Sequence, residues 1–241
     1  MKDLDFLLSL AAEAEEIVAK TPVVAKEKGV GDVVTTVDTA VEKHIILRIR
    51  EAYPDFDIVS EEFGSANRLT DNCFVVDPID GTANFAGGQF NWGVQIAVRR
   101  NGKTVASVVD LPAVGELYFA DETGAYLNGK RISVSAAAAK NAPYTIDGWG
   151  DFDKPEIMKN VAAVTKRFRD FGAISVSFAA LSRGATVGHI FLKDNPWDIV
   201  PGLFLAEMAG AKSVWDKDGF LVAANSEETL KLLHDAVKKT L

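Results

Sequence analysis

Cysteine is nearly absent: Cys73 stands alone among 241 residues. A single thiol excludes an intrachain disulfide and a cysteine-based zinc cage. Histidine is also scarce. His44, His189 and His234 are scattered, so a histidine-rich metal site is not expected. No apolar run is long enough to span a bilayer, which removes the membrane as a partner. Basic residues are in the minority, with 26 Lys and Arg against 34 Asp and Glu, for a net charge of −8. Lys238-Lys239 is an isolated pair, and no basic patch is visible, so a nucleic-acid duplex is not an expected partner. The start, Met1-Lys2-Asp3-Leu4-Asp5, is acidic and lacks a signal-peptide pattern, which makes a reducing cytoplasm the expected compartment. Internal repeats and low-complexity tracts are missing. So is any EF-hand-like loop, which sets calcium storage aside.

The rest is ordinary globular composition, 48% hydrophobic and 25% charged, and the length suits one large domain or two intimate ones. Residues 4–19 carry apolar residues at helical spacing, with Asp3 as an N-cap candidate. A loop through Lys26–Gly31 leads into Asp32–Asp38. A second helix follows, with Thr39 and Glu42 at capping-box spacing and Val41, Ile45, Ile49 and Ala52 on one face. Strands are expected at Phe56–Ser60, Phe74–Val76, Trp92–Arg99, Val105–Val109, Leu117–Ala120 and Ala125–Leu127, with Asn101-Gly102 and Asn128-Gly129 as turns. After the bland stretch Ala136–Ala142 the rhythm changes. Strands are expected at Tyr144–Asp147, Ala173–Val176, Thr186–Leu192, Lys212–Trp215 and Phe220–Ala224. Helices are expected at Pro155–Phe168, Phe178–Arg183, Trp197–Gly210 and after Ser226. The division is therefore 1–138, a mostly antiparallel α+β half, and 139–241, an α/β half. Trp92, Trp149 and Trp215 read as core or interface aromatics, and Cys73 as a small buried residue.

The chain is organised around Val75-Val76-Asp77-Pro78-Ile79-Asp80-Gly81-Thr82-Ala83-Asn84-Phe85. A buried strand ends in two carboxylates, Asp77 and Asp80. Pro78 is expected to stop the ladder, and Gly81-Thr82 to turn the chain into a helix. Two acids at the end of a buried strand are costly unless something neutralises them, and a hard divalent cation held by oxygen does so. The N–H groups opening the next helix favour an anion at the same spot. Metal carboxylates beside an anion hole point to phosphate chemistry. Asp38, Glu61 and Asp198 also stand at element ends. Taken singly, Asp38 and Asp198 would be helix caps and Glu61 a surface acid, but several have apolar flanks.

These blocks resemble the inositol monophosphatase family, within the lithium-sensitive, magnesium-dependent phosphatases. Asp77–Phe85 matches that family's first signature. Trp197-Asp198, with the helix through Ala209-Gly210-Ala211, is similar to its second. Ser60-Glu61-Glu62 and Asp32–Asp38 match two further blocks in the expected order. The resemblance spans about residues 5–240. It implies a five-layered α/β/α/β/α sandwich, lithium inhibition and, commonly, a homodimer. It also implies two or three Mg²⁺ ions. Glu61, Asp77 and the Ile79 carbonyl would hold one, and Asp77, Asp80 and Asp198 another, with a weaker ion near Glu61. Gly81 and Thr82 would bind phosphate beside Asp80. Asp38 would pair with Thr82, and Glu61 and Thr82 would serve the attacking water. The implied reaction is hydrolysis of a small phosphorylated substrate by metal-activated water, with ions roughly 3.5–4 Å apart and no phosphoenzyme.

Departures from the family pattern concern the substrate side. Gly87-Gly88 stands where the family often has a His or similar polar residue, and Val200-Pro201 follows Trp197-Asp198 where small residues are usual. Inositol-specific members place a glutamate before the Trp-Asp pair; here Phe191 or Lys193 occupies that position. Lys193, with Arg183, could meet a second negative group, or each could be a solvated charge. Lys28 is the candidate lysine of the family's mobile flap. The expected substrate is an inositol or sugar monophosphate. Fructose 1,6-bisphosphate, 3′-phosphoadenosine 5′-phosphate and histidinol phosphate are alternatives, and a non-catalytic binding protein on this fold is the reading from another class.

Overall fold

The computed structural model describes residues 3–241 except 30, 31, 65–67, 149–151, 164 and 166. The side chains of Lys28 and Asp32 also lie outside the described residues, as does Trp149, so the readings of Lys28 and Trp149 are not addressed by the structure. In chain order the elements are α1 (Asp3–Lys20), β1 (Ala25–Gly29), β2 (Asp32–Thr35), α2 (Thr36–Ala52), β3 (Asp57–Ser60), β4 (Cys73–Asp80), α3 (Thr82–Ala86), β5 (Gly93–Arg100), β6 (Lys103–Leu111), β7 (Glu116–Asp121), β8 (Gly124–Leu127) and β9 (Lys130–Arg131). They continue with β10 (Tyr144–Asp147), α4 (Lys154–Ala162), β11 (Phe168–Arg169), α5 (Ile174–Ser182), β12 (Gly188–Phe191), α6 (Pro196–Met208), β13 (Lys212–Asp216), β14 (Phe220–Ala224) and α7 (Glu227–Lys238).

A seven-stranded sheet runs β3 to β9 in chain order, antiparallel except for the parallel β3–β4 pair. A five-stranded sheet has the order β11-β10-β12-β14-β13, with β10 parallel to both its neighbours. Strand alternation separates the two faces of the larger sheet. Phe74, Val76, Val94, Ile96 and Val98 pack against Phe6, Leu7 and Leu10 of α1 and Val41, Ile45 and Ile49 of α2. Each such side chain contributes about 1.5–3 kcal/mol by leaving water. On the other face Val109, Leu111 and Tyr118 meet Ala179 of α5 and Leu205 of α6. The far side of α5 and α6 packs on Phe191, Leu221 and Ala223 of the smaller sheet. Ile157 and Val161 of α4, with Leu230 and Leu233 of α7, cover its outer face. The result is the five-layered α/β/α/β/α sandwich, a mixed α/β fold. α5 and α6 approach closely because Gly202 has no side chain; a Cβ there would lie 2.2 Å from the Phe178 ring.

Several local expectations change in three dimensions. The capping box of α2 is Thr35–Asp38, one turn before the Thr39–Glu42 spacing, which frees Glu42 for another task. Asp3 is the first residue of α1 and accepts from Arg100 at 2.6 and 2.8 Å and from Tyr53 at 3.1 Å. Pro78 interrupts the ladder without ending it: Asp77 pairs with Gln95, the register shifts, and pairing resumes between Asp80 and Gly93. Ala173–Val176 is not a strand, because Ile174 onward is helix α5. α4 ends at Ala162, and Phe168 joins the sheet beside Tyr144. Pro201 lies inside α6, beyond its first turn. Trp92 is buried, while Trp215 is 37% exposed.

Candidate active site

Four helix starts meet the carboxyl end of β4. α3 follows it directly, while α2, α5 and α6 bring Asp38, Ser175 and Asp198 to it. Helix starts offer free N–H groups and a positive dipole end, which suits carboxylates. Gly81 makes the turn into α3 with φ 80°, a left-handed conformation that glycine adopts without strain, and a Cβ there would lie 2.8 Å from that of Ala173.

Asp80 is held on both oxygens. Oδ1 accepts the Ile174 N–H at 3.2 Å, and Oδ2 accepts the Ser175 N–H at 2.6 Å and the Ser175 hydroxyl. Burial still raises its pKa, with these hydrogen bonds opposing the rise. Asp77 is 1% exposed, and its Oδ1 has no hydrogen-bond partner among the described residues. Burial, then the charges of Asp80, Glu61, Asp198 and Asp38, hold it well above the usual carboxylate range. Asp198, in the first turn of α6, accepts the Asn195 side-chain N–H at 3.0 Å. Burial, then Asp80, pushes it up to about 7. Carboxylate oxygens of Asp77, Asp80 and Asp198 lie within 4.8 Å of one another. Three desolvated acids this close, one with an orphaned oxygen, fit a hard cation: the donors are all oxygen, the set preferred by Mg²⁺ or Ca²⁺ over zinc.

The remaining expected residues fall around this group. The Thr82 hydroxyl lies 2.9 Å from Asp38 Oδ1 and 2.8 Å from the Ile79 carbonyl, so its one proton has two acceptors. Glu61 is outside the tight trio but close enough to act on Asp77 and Asp198 through its charge. Lys193 is exposed at a cavity of about 190 Å³ that Asp80 and Asp198 also line. Arg183 is elsewhere: it pairs with Glu116 at 3.4 Å and borders a separate cavity with Phe90 and Phe171.

Sequence reasoning missed four supporting residues. Ser175 was hidden in a stretch that reads as strand. Glu42 is fully buried and accepts from the Ser60 hydroxyl and from the Glu62 and Phe63 N–H groups at 3.2 and 2.8 Å, fixing the loop that carries Glu61. Asn84 donates to the Asn91 and Phe171 carbonyls at 2.7 and 2.8 Å, tying α3 to the segment before α5. Asp147, at the end of β10, lines the same cavity as Lys193. Asn84 could have been noticed within the signature, but the other three carry no local signal.

A family model described as the inositol monophosphatase family matches residues 4–237. A Thermotoga maritima protein named fructose-1,6-bisphosphatase/inositol-1-monophosphatase is 31% identical over 252 residues, covering 100% of this chain and 96% of that one. The Nus factor SuhB of Escherichia coli is 34% identical over 220 residues, covering 86% of this chain and 82% of the relative. Among solved structures, an IMPase of Thermotoga maritima superposes with a TM-score of 0.86 at 28% identity, covering 100% of each chain. The extragenic suppressor protein SuhB of Bartonella henselae gives 0.85 at 27% identity and 98% coverage of each. With the match running from α1 to the end of α7 and the fold shared throughout, this chain belongs to the inositol monophosphatase family.

Proposed function

We propose that this chain is a Mg²⁺-dependent phosphatase acting on a small phosphate monoester of the inositol phosphate or sugar phosphate class. The observation that carries this is the trio of buried Asp77 and Asp80 with partly buried Asp198, in which Asp77 Oδ1 has no donor among the described residues. These carboxylates, with Glu61 and the Ile79 carbonyl, would hold two or three ions. When bound, Mg²⁺ lowers the pKa of water and neutralises charge on the phosphoryl oxygens.

The chain's own groups supply the rest. Asp38 accepts from the Thr82 hydroxyl, and that leaves the Thr82 oxygen lone pairs available to a water proton. Asp38 is itself fixed, because its Oδ2 accepts the Thr35 N–H at 3.0 Å and the Thr35 hydroxyl. Gly81 and Thr82 present backbone N–H groups at the start of α3 to the phosphoryl oxygens. Glu61 serves the same water from a loop that Glu42 holds in place. Lys193, at the cavity rim, would meet a second anionic group, so a bisphosphate such as fructose 1,6-bisphosphate is the leading alternative substrate. The relative named fructose-1,6-bisphosphatase/inositol-1-monophosphatase supports both choices. Arg183 has no part in this reading, because it borders another cavity. Similarity to proteins named Nus factor SuhB favours a second reading, a binding role for the same fold, with or without hydrolysis. A homodimer in the cytoplasm is the proposed setting.

The test is phosphate release from inositol 1-phosphate, glycerol 2-phosphate, fructose 1,6-bisphosphate, 3′-phosphoadenosine 5′-phosphate and histidinol phosphate. Each is assayed with Mg²⁺, with EDTA, and with Asp77→Asn. Release that requires Mg²⁺ and collapses in the variant supports the proposal. Mg²⁺-independent release, or none from any substrate, overturns it and leaves the binding role.

A further inference from the structure

Asp147 is a carboxylate of the site cavity that the proposed chemistry does not use. It ends β10, and Phe191, its register partner, ends the parallel neighbour β12. Ligands of open α/β sheets sit beyond the carboxyl ends of such strands. Both residues line the cavity of about 190 Å³ that also touches Asp80, Asp198 and Lys193. Asp147 is 4% exposed. Its Oδ2 accepts from the Ser177 hydroxyl of α5, which fixes the plane of the carboxylate. Its Oδ1 has no hydrogen-bond partner among the described residues.

The neighbouring groups do not complete it. His189 Nδ1 is 3.7 Å from Asp147 Oδ2 and instead lies 2.8 Å from the Thr145 hydroxyl. Buried Lys154 pairs with Asp170 at 2.8 Å. Nor does Asp147 belong to the trio of carboxylates that lie within 4.8 Å of one another. A buried acceptor without a donor is unfavourable, and Asp147 lines the cavity next to the reacting acids.

We infer that Asp147 accepts a hydrogen bond from a hydroxyl of the substrate's leaving alcohol, so that the site selects polyol or sugar phosphates over esters of alcohols with no further hydroxyl. The inference rests on the phosphatase reading above. The walls suit such a group. Phe191 offers an apolar face to the C–H surface of a ring, while Gly148 and Gly172 add no side chain of their own to the lining. The volume, about 190 Å³, is below the roughly 300–1,000 Å³ of pockets that enclose drug-sized ligands, which suits a single ring.

The test compares wild type, Asp147→Asn, Asp147→Ala and Ser177→Ala in Mg²⁺. The substrates are inositol 1-phosphate, fructose 1,6-bisphosphate and phenyl phosphate, whose leaving group has no further hydroxyl. Sites built to bind a hydroxyl discriminate strongly against analogues without it, so the ratio of kcat/KM for hydroxylated over phenyl ester should fall roughly 30- to 100-fold in Asp147→Ala. It should fall less in Asp147→Asn, which keeps one acceptor, and in Ser177→Ala, which only loosens the carboxylate. Thermal melts confirm that each variant is folded, and Asp147→Asn, close in shape to the native residue, carries the test if the alanine is not. An unchanged ratio in Asp147→Asn and Asp147→Ala, with wild type hydrolysing phenyl phosphate, overturns the inference and leaves the phosphatase reading standing. A wild type that hydrolyses none of the three in Mg²⁺ overturns both.

Discussion

Thr82 and Asp38 are separated by 44 positions in the chain, yet the Thr82 hydroxyl lies 2.9 Å from Asp38 Oδ1. The pair joins the start of α3 to the start of α2, and the Thr35 capping box keeps Asp38 from turning away. If this pair receives the water proton, Thr82→Val should lower kcat by about 10²- to 10³-fold with KM nearly unchanged, the scale of a positioned proton acceptor. Asp38→Asn should act in the same direction. Steady-state kinetics on the best substrate decide it; full kcat in both variants removes the pair from the proton path.

Metal-free protein carries Asp77, Asp80 and Asp198 as three mutually repelling acids, the first two of them buried. Millimolar Mg²⁺ at 100 times its Kd would contribute about 2.7 kcal/mol, or roughly 5–10 °C in Tm for a chain of this size. Asp77→Asn should melt higher than wild type in EDTA, because one repelling charge is gone, and should lose the response to Mg²⁺. Differential scanning calorimetry with and without Mg²⁺ reads both. A variant that still responds fully would place the ion elsewhere.

Ser175 supplies two of the hydrogen bonds that fix Asp80. Ser175→Ala keeps the N–H bond and removes the hydroxyl. Groups that orient a metal ligand are typically worth 10- to 100-fold in affinity, so Mg²⁺ binding by calorimetry should weaken by about that factor. An unchanged affinity would show that the backbone N–H bonds suffice to position Asp80.

Asp110, on β6, is 1% exposed, and burial followed by the nearby Glu15 charge pushes its pKa to about 8. A carboxyl with a folded-state pKa above its unfolded value favours folding at low pH, and that contribution is lost as pH rises from about 4 through 8. Asp110→Asn should therefore stabilise the protein by roughly 1–3 kcal/mol near pH 8 and make little difference below pH 4. Urea unfolding at the two pH values tests this; an equal effect at both would point to packing.

His189 shows the opposite sign. It is fully buried, and burial lowers its pKa to about 3. A histidine kept neutral in the fold stabilises above its unfolded pKa of 6.5 and loses that contribution as pH falls toward 3. Replacing it with glutamine should flatten the fall of stability between pH 6 and 4, as read by urea titration. A slope as steep as that of wild type would assign acid sensitivity to other groups.

Much of this molecule can be read locally. The run Cys73–Val76 is apolar because β4 is buried on both faces, and Asp77 and Asp80 stand out against it. Asn101-Gly102 and Asn128-Gly129 mark hairpins, and both asparagines take positive φ, of 50° and 48°. Signals of this kind act over two to four residues, so they survive without knowledge of the partner. Asp198 was visible for the same reason, as an acid opening an apolar helix.

What failed locally depended on distant partners. α5 is apolar nearly all round because it lies between two sheets, so Ile174–Val176 shows no helical period and passes for a strand. Asp80 meets Ser175 across 95 positions, and Glu42 meets Ser60 across 18. Arg183 and Lys193 look alike in sequence, and only the stacking of α5 and α6 between the sheets sends one to Glu116 and the other to the cavity of Asp80 and Asp198. Which acids stand at element ends and how the strands turn follow from adjacent residues, and so are legible in the linear order. Tertiary structure alone decided which side chains hold those acids and which cation faces them, because hydrogen bonds and burial follow from distances that the linear order does not contain.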